Sequence, residues 1–163
     1  MTASQTPDSF AWRHELATLL VKALHGVAPG PICALDAAAL DATAAALVHT
    51  GLLQTTVHLC EAHAHTSPPA QLAVVMDALN GLDAAQARTL LARVRDFIAP
   101  RIVVVATAHC ALDRLAFLAI GFEVLGIDAT ENMAIFHFDL STYKQVPDWL
   151  NARHWAHPER WKP

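Results

Sequence analysis

The sequence predicts an α/β protein in three layers, built on a mostly parallel sheet that ends in an antiparallel hairpin at its C-terminal edge. Three observations carry that expectation. Residues 72–77, LAVVMD, are a continuous apolar run ending in an acid, and residues 101–106, RIVVVA, are a second such run. Strands that read this way are buried on both faces, as in parallel sheets covered by helices. Between them lies a capped amphipathic segment long enough for a crossover helix, so the two strands run in the same direction. FEVLGI (122–127) and MAIFHFDL (133–140), in contrast, are separated only by DATEN (128–132). That is too short for a crossover, so they pair as a hairpin.

Each element follows from local pattern. Trp12, Leu16, Leu19, Leu20, Ala23 and Leu24 fall on one helical face and Arg13, Thr18, Lys22 and His25 elsewhere, which predicts an amphipathic helix over residues 9–25 stopped by Gly26. Pro29, Gly30 and Pro31 break the chain, and ICALD (32–36) then makes a short buried strand ending at Asp36. Residues 40–49 are alanine-rich and favour a helix that Gly51 ends. TTVHLC (55–60) reads as a β-branched strand, followed by the turn-rich EAHAHTSPPA (61–70).

After LAVVMD, Asp83 and Gln86 form a capping-box pair. Leu90, Leu91, Val94 and Ile98 give the helix that follows its sheet-facing stripe, with Arg88, Arg93 and Arg95 outside it. Beyond RIVVVA, residues 111–120 read as a helix, and Gly121 stands where left-handed geometry is tolerated. The tail, residues 141–163, carries three of the four tryptophans and no regular period.

At 163 residues and 54% hydrophobic content the chain fits one domain, with an N-terminal helix (9–25), an α/β body (31–140) and a Trp-rich tail (141–163). A formal charge of −4, from 11 basic and 15 acidic residues, gives no overall attraction to nucleic acid or an anionic membrane. MTASQTPDSF lacks the cationic lead and apolar core of a signal peptide, and no apolar run reaches the roughly 18 residues a membrane span needs. A cytoplasmic location is therefore expected. Cys33, Cys60 and Cys110 are scattered among apolar runs, where free cysteine is a small buried hydrophobe, so no disulfide framework is expected.

From residue 72 onward the order is strand ending in an acid, helix closed by Ala99-Pro100-Arg101, strand, helix ending in Ile120-Gly121-Phe122, and hairpin. This order resembles the second half of the class I S-adenosylmethionine-dependent methyltransferases, which have a Rossmann-like fold. In that family the first strand ends in an acid followed by a glycine-rich loop, because only glycine lets backbone N–H groups approach the cofactor unobstructed. Asp36 matches the acid, but Ala37, Ala38, Ala39 and Leu40 stand where the glycines belong. The resemblance also matches Glu61 to the acid that binds the ribose hydroxyls and Asp77 to the acid near the end of the fourth family strand. It thus implies Asp36, Glu61 and Asp77 as cofactor-binding positions in a site whose loop is missing. The first half is compressed as well, lacking one family strand and helix. DWLNARHWAHPERW (148–161), with LAVVMDAL (72–79), further resembles an uncharacterised family of small bacterial proteins that keep the methyltransferase outline without its glycine loop. No activity is transferred from that likeness.

Other residue groups have a sharp reading and a plain one. Asp36, Glu61 and Asp77 could floor a nucleoside pocket, or cap helices and meet solvent at strand ends. His58, Cys60, His63 and His65 have zinc-type donors, yet their spacing matches no structural zinc pattern, and a strand cysteine beside loop histidines is ordinary. His109 and Cys110 are adjacent, which on a strand turns them to opposite faces and argues against a nucleophilic pair. Trp149, Trp155 and Trp161 lie among Arg153, His154, His157, Arg160 and Lys162. They pack the tail onto the body, the favoured reading, or offer aromatic and cationic contacts to a protein partner or, last in order, to the bases of a nucleic acid.

The sequence-level expectation is a methyltransferase-like domain that binds or interacts without catalysis and without a resident cofactor. The alternatives are an active enzyme that uses S-adenosylmethionine with a nonstandard loop, and a metal-binding protein using His58, Cys60, His63 and His65. No general acid or base is singled out.

Overall fold

The computed structural model describes residues 11–24, 30–51, 55–60, 70–128, 132–143 and 160. The strands are β1 (Ile32–Ala34), β2 (Val57–Leu59), β3 (Leu72–Val75), β4 (Arg101–Ala106), β5 (Glu123–Asp128) and β6 (Met133–Asp139). They join one sheet in the order β2-β1-β3-β4-β6-β5. β2, β1, β3 and β4 run parallel, while β6 pairs antiparallel with both β4 and β5. The expected hairpin is present, with β6 set inside it and β5 at the edge, and its register shifts between Val124 and Gly126.

Side chains on the strands alternate between two cores, as the two-residue period requires. Ile32, Ala34, Leu72, Val74, Val103, Val105 and Ile135 face one core, together with Leu16, Leu19 and Leu20 of α1 (Ala11–Leu24) and Ala39, Ala42, Ala46 and Leu47 of α2 (Ala37–Thr50). Cys33, Ala73, Val75, Ile102, Val104, Phe136 and Phe138 face the other, under α3 (Ala84–Arg93) and α4 (Arg114–Ala119). The result is the expected three layers. No described helix is long and apolar enough to cross a membrane.

Local chemistry sets the helix ends. Asp83 accepts N–H bonds from Ala85 and Gln86 while Gln86 accepts from the Asp83 N–H, the reciprocal cap expected from the spacing. After Arg93 the helix widens into a π-turn over Val94–Ile98, which keeps Val94 and Ile98 buried. α2 starts three residues earlier than its alanine content alone predicts, because Asp36 caps it; Gly51, at φ 72°, closes it. α4 starts later than predicted because the cap is Asp113, which accepts from the Ala116 N–H. Gly121 adopts φ 92°, and the Tyr143 ring, carried by the short α5 (Leu140–Tyr143), occupies the space a side chain there would need.

The cysteine expectation needs correction. Cys33 and Cys60 are joined as a disulfide, with Cα atoms 5.7 Å apart, and only Cys110 is free. The sequence hid this pairing because parallel register, not spacing, brings the two together: Cys33 lies opposite His58, two residues before Cys60.

Two features of this body have measurable consequences. Phe117 is fully buried, stacked on Phe136 at 4.0 Å between ring centroids and edge-on to Phe122 at 5.6 Å. Phe117→Ala is expected to cost about 3–5 kcal/mol in urea unfolding, through lost burial and the cavity left behind. His137 on β6 has a buried Nε2 without a partner among the described residues. Burial holds its pKa below the ordinary value, against the opposing charges of Asp139 and Glu123 and with a smaller contribution from Arg101. The unfolded imidazole, titrating near pH 6.5, therefore takes up a proton that the folded one resists. Stability is expected to fall as pH drops through that value toward the folded pKa. His137→Gln should show a shallower fall between about pH 7 and 5; equal slopes would sink this assignment. Asp139 acts in a separate, more acidic window. Burial alone would raise its carboxyl, but hydrogen bonds from Ser141 and the charge and hydrogen bond of Arg101 bring it below the usual value.

Candidate functional site

From β1 the chain moves outward to β2 and then returns across β1 to β3. In open α/β sheets such a reversal leaves a crevice outside the carboxyl ends of the strands, and ligands bind there. Asp36 stands at that point, directly after β1.

Its carboxylate is fully engaged by the backbone. One oxygen accepts the Ala39 N–H at 2.7 Å, in the first turn of α2. The other accepts the N–H groups of Met76 at 2.9 Å and Ala78 at 3.1 Å, just beyond β3. A further bond, Leu35 N–H to the Val74 carbonyl, closes the two strands to their ends. One half-buried side chain thus stitches β1, β3 and α2 together.

The residues in place of the glycines do not form a loop. Ala37, Ala38 and Ala39 are the first turn of α2, and Ala39 is completely buried. A helix N-terminus attracts an anion through its free N–H groups and positive dipole end. Here an internal carboxylate sits at that position, so the chain supplies its own anion.

Asp77 lies at the carboxyl end of β3, in a 3-10 turn over Asp77–Leu79, and is exposed. It accepts from the Asn80 side-chain amide at 2.9 Å; the Asn80 carbonyl oxygen accepts the Thr107 hydroxyl at 3.2 Å; and Thr107 accepts the His109 N–H at 3.3 Å. A bridge between Asn80 and Cys110 ties the same two chain ends. This polar chain across the ends of β3 and β4 was not foreseen from sequence. Its only signals were a three-residue Asp-to-Asn spacing and a threonine closing an apolar strand.

The three acids expected together are placed unequally. Asp36 and Asp77 share the carboxyl edge of the sheet, and the Ala78 N–H that follows Asp77 is bonded to Asp36. Glu61 lies outside the described residues, as do His63, His65, Trp149, Trp155 and Trp161. His58 is exposed on β2, but the Cys60 sulfur is committed to Cys33, which removes a thiolate from the expected zinc set. Among the described residues no three His, Cys, Asp or Glu side chains converge as a metal site. His109 and Cys110 sit in a turn after β4, with the His109 N–H directed to Thr107.

A family model described as a family of unknown function, DUF6231, matches residues 13–163, and the chain belongs to that family. No curated protein matches it. Among solved structures it is similar to the N-methyltransferase NodS from Bradyrhizobium japonicum WM9, in complex with S-adenosyl-L-homocysteine. The TM-score is 0.52 at 18% identity, over 80% of this chain and 88% of NodS. An rRNA methylase from Escherichia coli matches at TM-score 0.49 and 18% identity, over 77% of this chain and 63% of its own. The magnesium protoporphyrin IX methyltransferase ChlM from Synechocystis PCC 6803, with bound SAM, matches at 0.49 and 11%, over 77% and 76%. The likeness to NodS shows the fold, that of a Rossmann-like methyltransferase.

The carboxylate geometry separates the two strand-end acids experimentally. Asp36→Ala strands the N–H groups of Met76 and Ala78 and removes a helix cap, and is expected to cost about 2–4 kcal/mol in urea unfolding. Asp77→Ala, at an exposed position, should stay within about 0.5 kcal/mol of the parent. Equal effects would show that Asp36 is not the tie described.

Proposed function

We propose that this member of the DUF6231 family is a methyltransferase-like domain that works as a non-catalytic binding or interaction module. One observation carries the reading: the Asp36 carboxylate spends both oxygens on the backbone N–H groups of Ala39, Met76 and Ala78. An adenosyl ligand at the switch point needs free backbone donors and room beside them. This chain offers a bonded donor and alanine methyl groups, one of them completely buried. Its partner in this reading is a protein, engaged through the tail residues Trp149, Trp155 and Trp161, whose flat apolar faces lie among basic side chains in the sequence.

NodS and ChlM are described with S-adenosyl-L-homocysteine and SAM bound, which makes those two molecules the relevant probes. Calorimetric titration of the full chain with each is expected to give no saturable heat up to millimolar ligand. Micromolar binding, equivalent to about −8 kcal/mol, that Glu61→Ala or Asp77→Ala weakens would overturn the proposal. It would show instead a cofactor site with a nonstandard loop, the premise of the active-enzyme alternative.

A further inference from the structure

The Cys33–Cys60 disulfide joins β1 to the residue that follows β2, and its two ends differ in environment. Cys33 is on β1, flanked by β2 and β3, and is 1% exposed. Cys60 follows β2, the edge strand, and is half-buried; its N–H donates to the Ala34 carbonyl at 2.8 Å, which extends the ladder by one residue. A groove of about 300 Å³ is lined among the described residues by the buried Cys33 and the half-buried Cys60, with Pro31, His58, Leu59 and Ala70. His58 and Leu59 are both exposed, Leu59 to 59%.

We propose that Cys33–Cys60 is an exchangeable thiol–disulfide site, entered at Cys60 by low-molecular-weight monothiols of the glutathione class. This inference does not depend on the proposed function. Exchange requires a thiolate to reach one sulfur of the bond, so access decides which cysteine is attacked. The groove and the edge position give access to Cys60, and burial shields Cys33.

In the first step the monothiolate attacks Cys60 Sγ. A sulfur–sulfur bond forms to Cys60, the Cys60–Cys33 bond breaks, and the electron pair leaves on Cys33, which takes a proton from water. A second monothiolate attacks the outer sulfur of the mixed disulfide and frees Cys60 as a thiolate. The protein bond has gained two electrons, and two monothiols have become one disulfide. The reverse sequence, driven by the oxidised monothiol, closes the bond again.

The structural consequence falls on β2. Among the described residues this three-residue strand pairs with β1 alone, and the cross-link spans a sequence separation of 27 residues that includes α2. The oxidised form pins this edge to the body, and the reduced form holds it by its short ladder. Structural disulfides of secreted proteins resist the glutathione pool, whereas exposed ones are labile and serve regulation.

The test uses the full chain with Cys110→Ser, which removes the remaining free thiol. Under native conditions with oxidised glutathione, the variant that also carries Cys33→Ser retains only Cys60 and is expected to take up one glutathionyl group. By intact mass this uptake should be roughly tenfold faster than in the variant carrying Cys60→Ser, which retains only Cys33. The cross-linked Cys110→Ser parent supplies an independent readout should either variant fail to fold. Millimolar reduced glutathione should open its disulfide without denaturant and lower Tm by on the order of 10 °C, reversibly on reoxidation. Three outcomes would each overturn the proposal: equal uptake at both cysteines, a bond that opens only in denaturant, or two thiols that hold stoichiometric zinc and resist oxidation.

Discussion

The carboxylate of Asp36 is the constraint on which the carboxyl edge of this sheet depends. Two stretches about forty residues apart meet there: the passage from β1 through Asp36 into α2, and the turn after β3. The first turn of α2 and the turn after β3 present backbone N–H groups that helix or ladder bonding leaves over. A single ionised side chain satisfies three of them, at 2.7, 2.9 and 3.1 Å. Hydrogen bonds to an ionised acceptor are roughly twice as strong as neutral ones, so this knot holds the crossing point where a doubly wound sheet would otherwise open. The residue that fits a cofactor position by sequence thus performs a structural task in the fold.

Around that knot the architecture rests on alternation. Val103 and Val105 enter one core while Ile102 and Val104 enter the other, and the same division holds along β3 and β6. Phe117, Phe122, Phe136 and Phe138 gather at one end of the second core, where the hairpin joins the sheet. In the first core the small side chains Ala39, Ala42 and Ala46 of α2 face the leucines of α1 and the aliphatic residues of the strands, which brings that helix close to β1 and β3. The alanines after Asp36 form the first turn of the helix, and Ala39 among them is buried in its packing face.

The other edge is thinner. β2 is short, has exposed side chains and stands last on that side among the described strands. An unpaired strand edge invites pairing with other chains, and proteins blunt such edges by keeping them short or covering them. Here the edge is short and a disulfide fastens its end to β1.

The sequence by itself determined the two apolar parallel strands around a capped helix, the antiparallel hairpin, Gly51 and Gly121 as helix stops, and the absence of glycines after Asp36. These are local signals: hydrophobic period, capping chemistry and backbone freedom act within a few residues. Only the tertiary structure decided that Asp36 spends its carboxylate on Met76 and Ala78, that Asn80 and Thr107 link the ends of β3 and β4, and that Cys33 meets Cys60. Those contacts join residues brought together by strand order and register. The free energy that fixes register belongs to the whole sheet and its two cores, and no single segment carries it.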